Sequence, residues 1–179
     1  GTSAKDLVNT LSVGELTRIL RDYGEEKYAN RIANNIVAAR EKKEIETTFE
    51  LIDIIKSSMP QKTMRDSHPA RRTFQALRIE VNGELDQLNT ALDDMFDCLK
   101  VGGILSIITF HSLEDRMVKQ RFNLFAQGCT CPKEFPVCVC GKTPRGKVTI
   151  KGLAPSEEEL SNNSRSHSAR LRSIEKIRD

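Results

Sequence analysis

The sequence contains no tryptophan and only two tyrosines, and aromatic residues make up 5% of it. It also lacks a long apolar run. The longest, Ile104 to Phe110, is interrupted by Ser106 and Thr109, whereas a membrane-spanning helix needs about 20 consecutive apolar residues. No membrane span is therefore expected. The first twenty residues are amphipathic and carry Lys5, Asp6, Glu15 and Arg18, unlike a secretory leader, so a cytoplasmic location is expected. None of the ten glycines forms G-x-G-x-x-G, the loop that cradles phosphates at a strand-to-helix turn. What is present is globular in character: 38% hydrophobic and 30% charged residues, with a mean hydropathy of −0.44, exclude an ordinary disordered chain. At 179 residues the chain suits one domain or two small ones, and folding can bury about 70% of its unfolded surface.

The net charge of +3 hides an asymmetry. Up to Asp115 there are 15 basic and 19 acidic residues, and from Arg116 onward there are 13 basic and 6 acidic. The last third is thus the part that would face a polyanion, although a solvated basic surface would look the same.

The first sixty residues read as short helices. Ser12-Val13-Gly14-Glu15 and Thr47-Thr48-Phe49-Glu50 have the form of capping boxes, Gly24 stands where a helix should stop, and Pro60 closes the last segment. Tyr28, Ile32 and Ile36 mark a helix between them. A different element begins at His68-Pro69, with proline suited to a first helical turn. From there Phe74, Leu77, Val81, Leu85, Leu88, Leu92, Phe96 and Leu99 recur at steps of three or four. This predicts one helix of about thirty residues that bends at Gly83. Its polar side near the start carries Arg71, Gln75, Arg78 and Asn82, a composition suited to phosphates or simply to water.

After the Gly102-Gly103 turn, Ile104 to Phe110 reads as a central parallel strand covered on both faces, the second half of a β-α-β crossover. Weaker strand candidates are 147–151 and 171–177. His111-Ser112-Leu113-Glu114-Asp115-Arg116 follows directly on the strand, where open α/β sheets bind ligands. Ser112 is expected to cap the next helix, and function stays open for His111, Asp115 and Arg116.

Cys98 is expected to be a small core residue. The other four cysteines form C-x-C-x6-C-x-C at 129, 131, 138 and 140. Four thiols this close satisfy the count for tetrahedral zinc, but one intervening residue is tighter than the usual C-x2-C. The sequence alone therefore commits no metal. Cys129, Cys131, Cys138 and Cys140 remain candidates, and an ordered loop of reduced thiols is favoured over zinc.

Three stretches go beyond fold-level pattern: HPARRTFQALRIEVNGEL (68–85), LKVGGILSIITFHSLEDRMVK (99–119), and CPKEFPVCVCGKTP (131–144) followed by PSEEEL and NNSRSHSARLRSIEK (155–160 and 162–176). Together they resemble the small-subunit ribosomal RNA (cytosine-N4) methyltransferase H family, and residues 9–33 resemble that family's helical substrate-recognition insert. The resemblance implies an α/β fold, part of a class I, Rossmann-like methyltransferase sheet with an all-α insert. Residues 1–65 would form the insert and 66–179 the C-terminal part of the α/β domain, including a cysteine-rich loop at 129–140. It also implies S-adenosylmethionine-dependent N4-methylation of a cytidine in small-subunit rRNA. The family's glycine-rich cofactor segment has no counterpart here, so this chain is expected to lack most of the cofactor-binding half and to be inactive alone, with no cofactor-binding residues of its own. On this reading His111 or Asp115 lines the target pocket, and Arg72, Gln75 and Arg78 match the family motif and face RNA or brace the pocket. Arg116, Arg165, Arg170 and Arg172 supply positive charge. The expected partner is small-subunit rRNA within a ribosomal subunit, with no membrane, and a homodimer is left open. The competing reading is a non-catalytic RNA-binding module with a cysteine-rich, zinc-binding knuckle.

Overall fold

The computed structural model describes residues 1–60, 69–132 and 134–179. They divide into two compact units, Gly1–Glu84 and Leu85–Asp179. Among them no helix is long and apolar enough to cross a membrane.

The first unit is helical: α1 (Ala4–Thr10), α2 (Val13–Asp22), α3 (Ala29–Arg40), α4 (Thr48–Ser57) and α5 (Arg71–Asn82). Three of these helices open on reciprocal capping boxes, Ser3 with Asp6, Ser12 with Glu15 and Thr47 with Glu50. Each such cap contributes about 1 kcal/mol by pairing amides that the first turn leaves open. Glu50 accepts from Lys43 Nζ at 2.7 Å and from the backbone N–H groups of Glu46 and Thr47. Those donors, Lys43 first, hold its carboxyl down to about 2. The apolar stripes converge on one core that includes Leu16, Ile19, Leu20, Ile32, Ile36, Ile55 and Leu77. Gly24 is required by close approach: a Cβ there would lie 2.7 Å from Leu20 O and 2.8 Å from Arg72 O. The left-handed residue of that turn is its neighbour Glu25, at φ 48°.

The expected thirty-residue helix is two helices. Gly83 adopts φ 59°, ψ 32° and ends α5, and α6 (Glu84–Cys98) starts immediately after it. A left-handed residue cannot continue an α-helix, and glycine pays no Cβ penalty for taking that conformation. The single apolar stripe is accordingly shared: Phe74, Leu77 and Val81 pack in the helical core, while Leu88, Leu92, Phe96 and Leu99 belong to a second core. Helix α5 starts at Arg71 without a side-chain cap, and Pro69 lies in a turn before it. His68 lies outside the described residues. Cys98, expected in a core, is exposed at the end of α6.

The second unit continues with β1 (Ile104–Thr109), α7 (Ser112–Phe125), β2 (Gly146–Leu153), α8 (Glu157–Asn162), a 3-10 turn (Ser164–Ser168) and β3 (Arg170–Lys176). The sheet order is β1-β3-β2, and both pairings are antiparallel. This corrects the expectation of a parallel sheet with β1 at its centre. Strand β1 is an edge among the described residues and leaves Ile104 and Ile108 more than half exposed. A β-branched, uncharged run reports that a strand suits burial; it does not report which strand pairs with it or in which direction. The two weaker candidates, 147–151 and 171–177, fall on β2 and β3.

Leu92 and Phe96 of α6, Val118 and Phe122 of α7 and Ile174 of β3 form the buried core of this unit. Phe96 stacks on Phe125 with ring centroids 4.0 Å apart, and the Arg145 guanidinium lies 5.4 Å from its centroid. Lys176 is buried because its ammonium donates to the carbonyls of Asp97 and Leu99 at the end of α6, where a helix dipole favours positive charge.

Candidate functional site

The polar groups gather at the end of β1 where α7 begins. His111, not Ser112, is the N-cap of α7; it sits in extended backbone at φ −140°, ψ 162°, and Ser112 is the first helical residue. The expectation for Ser112 followed the usual cap preference, but the helix begins one residue earlier and the capping box pairs His111 with Glu114. The His111 ring accepts from Glu114 N–H through Nδ1 at 3.4 Å. Glu114 returns the contact, accepting from the backbone N–H of Phe110 at 3.0 Å and of His111 at 3.3 Å. His111 Nε2 lies 3.2 Å from Glu114 Oε1, with the imidazole only 9% exposed. Burial works to raise the Glu114 carboxyl, but the His111 ring and the Phe110 amide outweigh it and hold the group below its ordinary range.

Asp115, one residue on, is held by a fork. Arg172 Nε and Nη2 donate to its two oxygens at 2.7 and 2.8 Å, and Thr109 Oγ1 lies at 3.4 Å. The third Arg172 nitrogen donates to Lys151 O. This ties α7 to β2 and β3, and the Arg172 hydrogen bonds lower the Asp115 carboxyl below its usual value. A carboxylate whose two oxygens are filled by a guanidinium is a weak proton acceptor. The Arg172 side chain is 11% exposed, so its charge is committed to Asp115.

The remaining candidates fall in two places. Arg116 is exposed on α7, Arg165 is exposed on the 3-10 turn, and Arg170 is exposed opposite Thr109 in the β1–β3 register. These three share an end of the sheet unit with His111, Asp115 and Arg172. In the helical unit, Arg72 is exposed and donates to Glu25 O at 3.3 Å, which fastens the start of α5 to the turn after α2. Gln75 is half-buried. Arg78 makes a two-pronged pair with Glu84 at 2.9 and 3.0 Å. Sequence reasoning missed Glu114 as the partner of His111. Its signal was the spacing of three residues that a capping box uses.

The described residues do not fit a methyl-sulfonium nucleoside cofactor. Such a group needs a glycine turn between a strand and a helix for close backbone approach, and the β1-to-α7 junction is Phe110-His111. The Gly102-Gly103 turn precedes β1 instead of following it.

The four loop cysteines come together in the second unit. Their sulfurs all lie within 4.8 Å of one another. Backbone N–H groups of Lys142 and Thr130 pull the Cys140 thiol down to about 5. Cys129 accepts from the Cys131 N–H, yet hydrogen bonds with the other three thiols push it up to about 12.

The model of the MraW methylase family matches residues 1–177. Among curated relatives, the ribosomal RNA small subunit methyltransferase H of Lachnospira eligens is 58% identical over 177 residues, 98% of this chain and 56% of that protein. The protein of the same name from Citrifermentans bemidjiense is 54% identical over 99% of this chain and 57% of its own length. That from Carboxydothermus hydrogenoformans is 53% identical, again over 98% of this chain and 57% of its own. The chain therefore spans a little over half the length of the curated relatives it matches.

Proposed function

The chain belongs to the MraW methylase family, and on that premise we propose that it forms the RNA-facing portion of an S-adenosylmethionine-dependent enzyme that methylates N4 of a cytidine in small-subunit ribosomal RNA, in the cytoplasm and on a ribosomal subunit. The observation that carries this reading is the match across 1–177 together with the shared name of relatives that are more than half identical. The finer fold reading, part of a class I sheet with residues 1–65 as an inserted substrate-recognition domain, is supported by the edge position of β1. Its outer edge and its exposed Ile104 and Ile108 suit additional strands.

The chain's own work in such a reaction is to hold the target base. The exocyclic amine of cytosine is a poor nucleophile because its lone pair is delocalised into the ring, so it must be unstacked, aligned and offered an acceptor for its N–H. His111, held in place by Glu114, lines the pocket at the end of β1. Asp115 borders the same pocket as a positioning residue, because its oxygens are engaged by Arg172. Arg116, Arg165 and Arg170 face the RNA phosphates, and Arg72, Gln75 and Arg78 present a second basic stripe on α5. No methyl-transfer step is assigned to these residues, since they do not cradle the methyl donor.

Calorimetric titration of S-adenosylmethionine into this chain and into a full-length relative tests the division of labour. The relative is expected to bind and this chain to show no saturable heat; micromolar binding to this chain would overturn it. A competing reading, an RNA-binding module without chemistry, draws on the same missing cradle. It is separated by adding decoding-region RNA: Arg165→Ala and Arg170→Ala are expected to weaken binding and each to reduce the slope of log affinity against log salt by about 1. A full-length relative that binds the RNA but transfers no methyl group would favour the module.

A further inference from the structure

Among its described residues the loop 126–145 between α7 and β2 has no regular structure, and loops of that length need a device to stay ordered. Its base is pinned by Arg145 N–H donating to Phe125 O at 2.9 Å. Beyond that point it has no apolar core: Phe135, Val137 and Val139 are 51%, 70% and 73% exposed. The groups that converge are sulfurs. The Cys129–Cys138 separation is 3.3 Å, Cys138–Cys140 3.5 Å, Cys129–Cys140 3.7 Å and Cys131–Cys138 4.0 Å. All are far from the roughly 2.05 Å of a disulfide. A tetrahedron of four sulfurs at about 2.3 Å from one zinc has edges of about 3.8 Å; these four edges bracket that length, and all six stay within 4.8 Å.

We propose that Cys129, Cys131, Cys138 and Cys140 bind one zinc ion in a closed tetrathiolate site that holds the loop 126–145 in its fold. Each thiol gives up its proton to solvent as its sulfur bonds the metal, so four S–H bonds are exchanged for four Zn–S bonds and no electron is transferred. The resulting complex carries two negative charges, and the backbone supplies donors to spread them. The N–H of Cys131 points to Cys129 Sγ at 3.4 Å, that of Val139 to Cys131 Sγ at 3.4 Å and that of Thr130 to Cys140 Sγ at 3.5 Å. Such outer contacts orient thiolate ligands. With all four positions taken by protein sulfur the site is structural and not catalytic. A multi-iron cluster is the poorer fit, since its irons and sulfides would have to sit between sulfurs that are already at single-ion spacing.

The one-residue gap that argued against zinc in the sequence is no obstacle in the fold, where the sulfurs of both C-x-C pairs meet within 4.8 Å of one another. Each pair then supplies only one edge of the tetrahedron.

The test is metal analysis by mass spectrometry of the chain purified without chelator, followed by cobalt exchange. About one zinc per chain and the intense visible bands of tetrahedral tetrathiolate cobalt are expected. Cys131→Ser and Cys138→Ser should each cut zinc content at least about tenfold, and Cys98→Ser, outside the cluster, should leave it unchanged. As a readout independent of mutant folding, chelation of the unmodified chain should open the loop to protease, and added zinc should close it again. Zinc near zero even after supplementation, iron in its place, octahedral cobalt bands, equal loss in Cys98→Ser, or protease cleavage indifferent to chelator would each overturn the proposal.

Discussion

The helical unit buries sixteen apolar residues in one cluster and, among the described residues, leaves a single large apolar side chain exposed, Phe49. The core cluster of the sheet unit holds five, yet among its described residues the unit exposes eleven large apolar side chains between Met95 and Ile177. Both are built from amphipathic elements with well-placed polar groups. They differ in coverage. Helices α1 to α5 surround one another, so every stripe finds a partner, whereas α6 and α7 cover one face of a three-stranded sheet and β1 keeps a free edge. Exposed apolar side chains in that number promote association. On the sheet side polar clamps join elements distant in sequence, as in Asp115–Arg172 and the Lys176 contacts to α6.

The contrast implies that the sheet unit melts first, and the sharpest way to break it is to remove a ring from the smaller core. Phe96→Ala should cost about 3–5 kcal/mol and unfold the sheet unit while the helical unit stays protected from hydrogen exchange. Loss of protection in α2 and α3 at the same denaturant concentration would show that the units do not unfold separately. Asp115→Asn should have a smaller effect, about 1–2 kcal/mol, because a quarter of the Asp115 side chain remains open to screening water. Since the folded state lowers the Asp115 carboxyl, its contribution is present above the unfolded value near 3.9 and fades as pH falls through the lower folded value. Urea midpoints of the sheet unit should therefore drop in acid in the unmodified chain and be flatter in Asp115→Asn. The smallest effect is expected at Glu50 in the helical unit. With its folded value about 2 against an ordinary 4.5, its contribution is complete above pH 4.5 and disappears toward pH 2. Glu50→Gln should lower the stability of α4 at neutral pH, where the Lys43 pair and the cap are lost, and match the unmodified chain near pH 2, so that portion of the acid sensitivity disappears by circular dichroism.

Legibility in the sequence followed the range of the interaction. The boxes at Ser12 and Thr47 were readable because their partners are three residues away, whereas β2 and β3 stood out only as weaker strand candidates. The break at Gly83 was not, because the stripe keeps its phase through it and only the left-handed backbone ends α5. The direction of the sheet was missed for the same kind of reason, since strand pairing joins residues more than sixty positions apart, such as Thr109 and Arg170. At the candidate site, the cluster His111 to Arg116 stood out by position. That Arg172 would claim both oxygens of Asp115 depended on β3 returning beside β1.

The sequence by itself determined the family, the helical character of the first sixty residues, the polar cluster after β1 and the identity of four thiols on one loop. These are matters of local pattern and motif. Only the tertiary structure decided that the sheet is antiparallel with β1 at its edge, that one long stripe serves two cores, that His111 caps α7, and that the four sulfurs meet at the spacing of a single metal ion. Each of those depends on which distant segments come into contact, and burial, backbone pairing and charge choose among contacts that sequence spacing leaves equal.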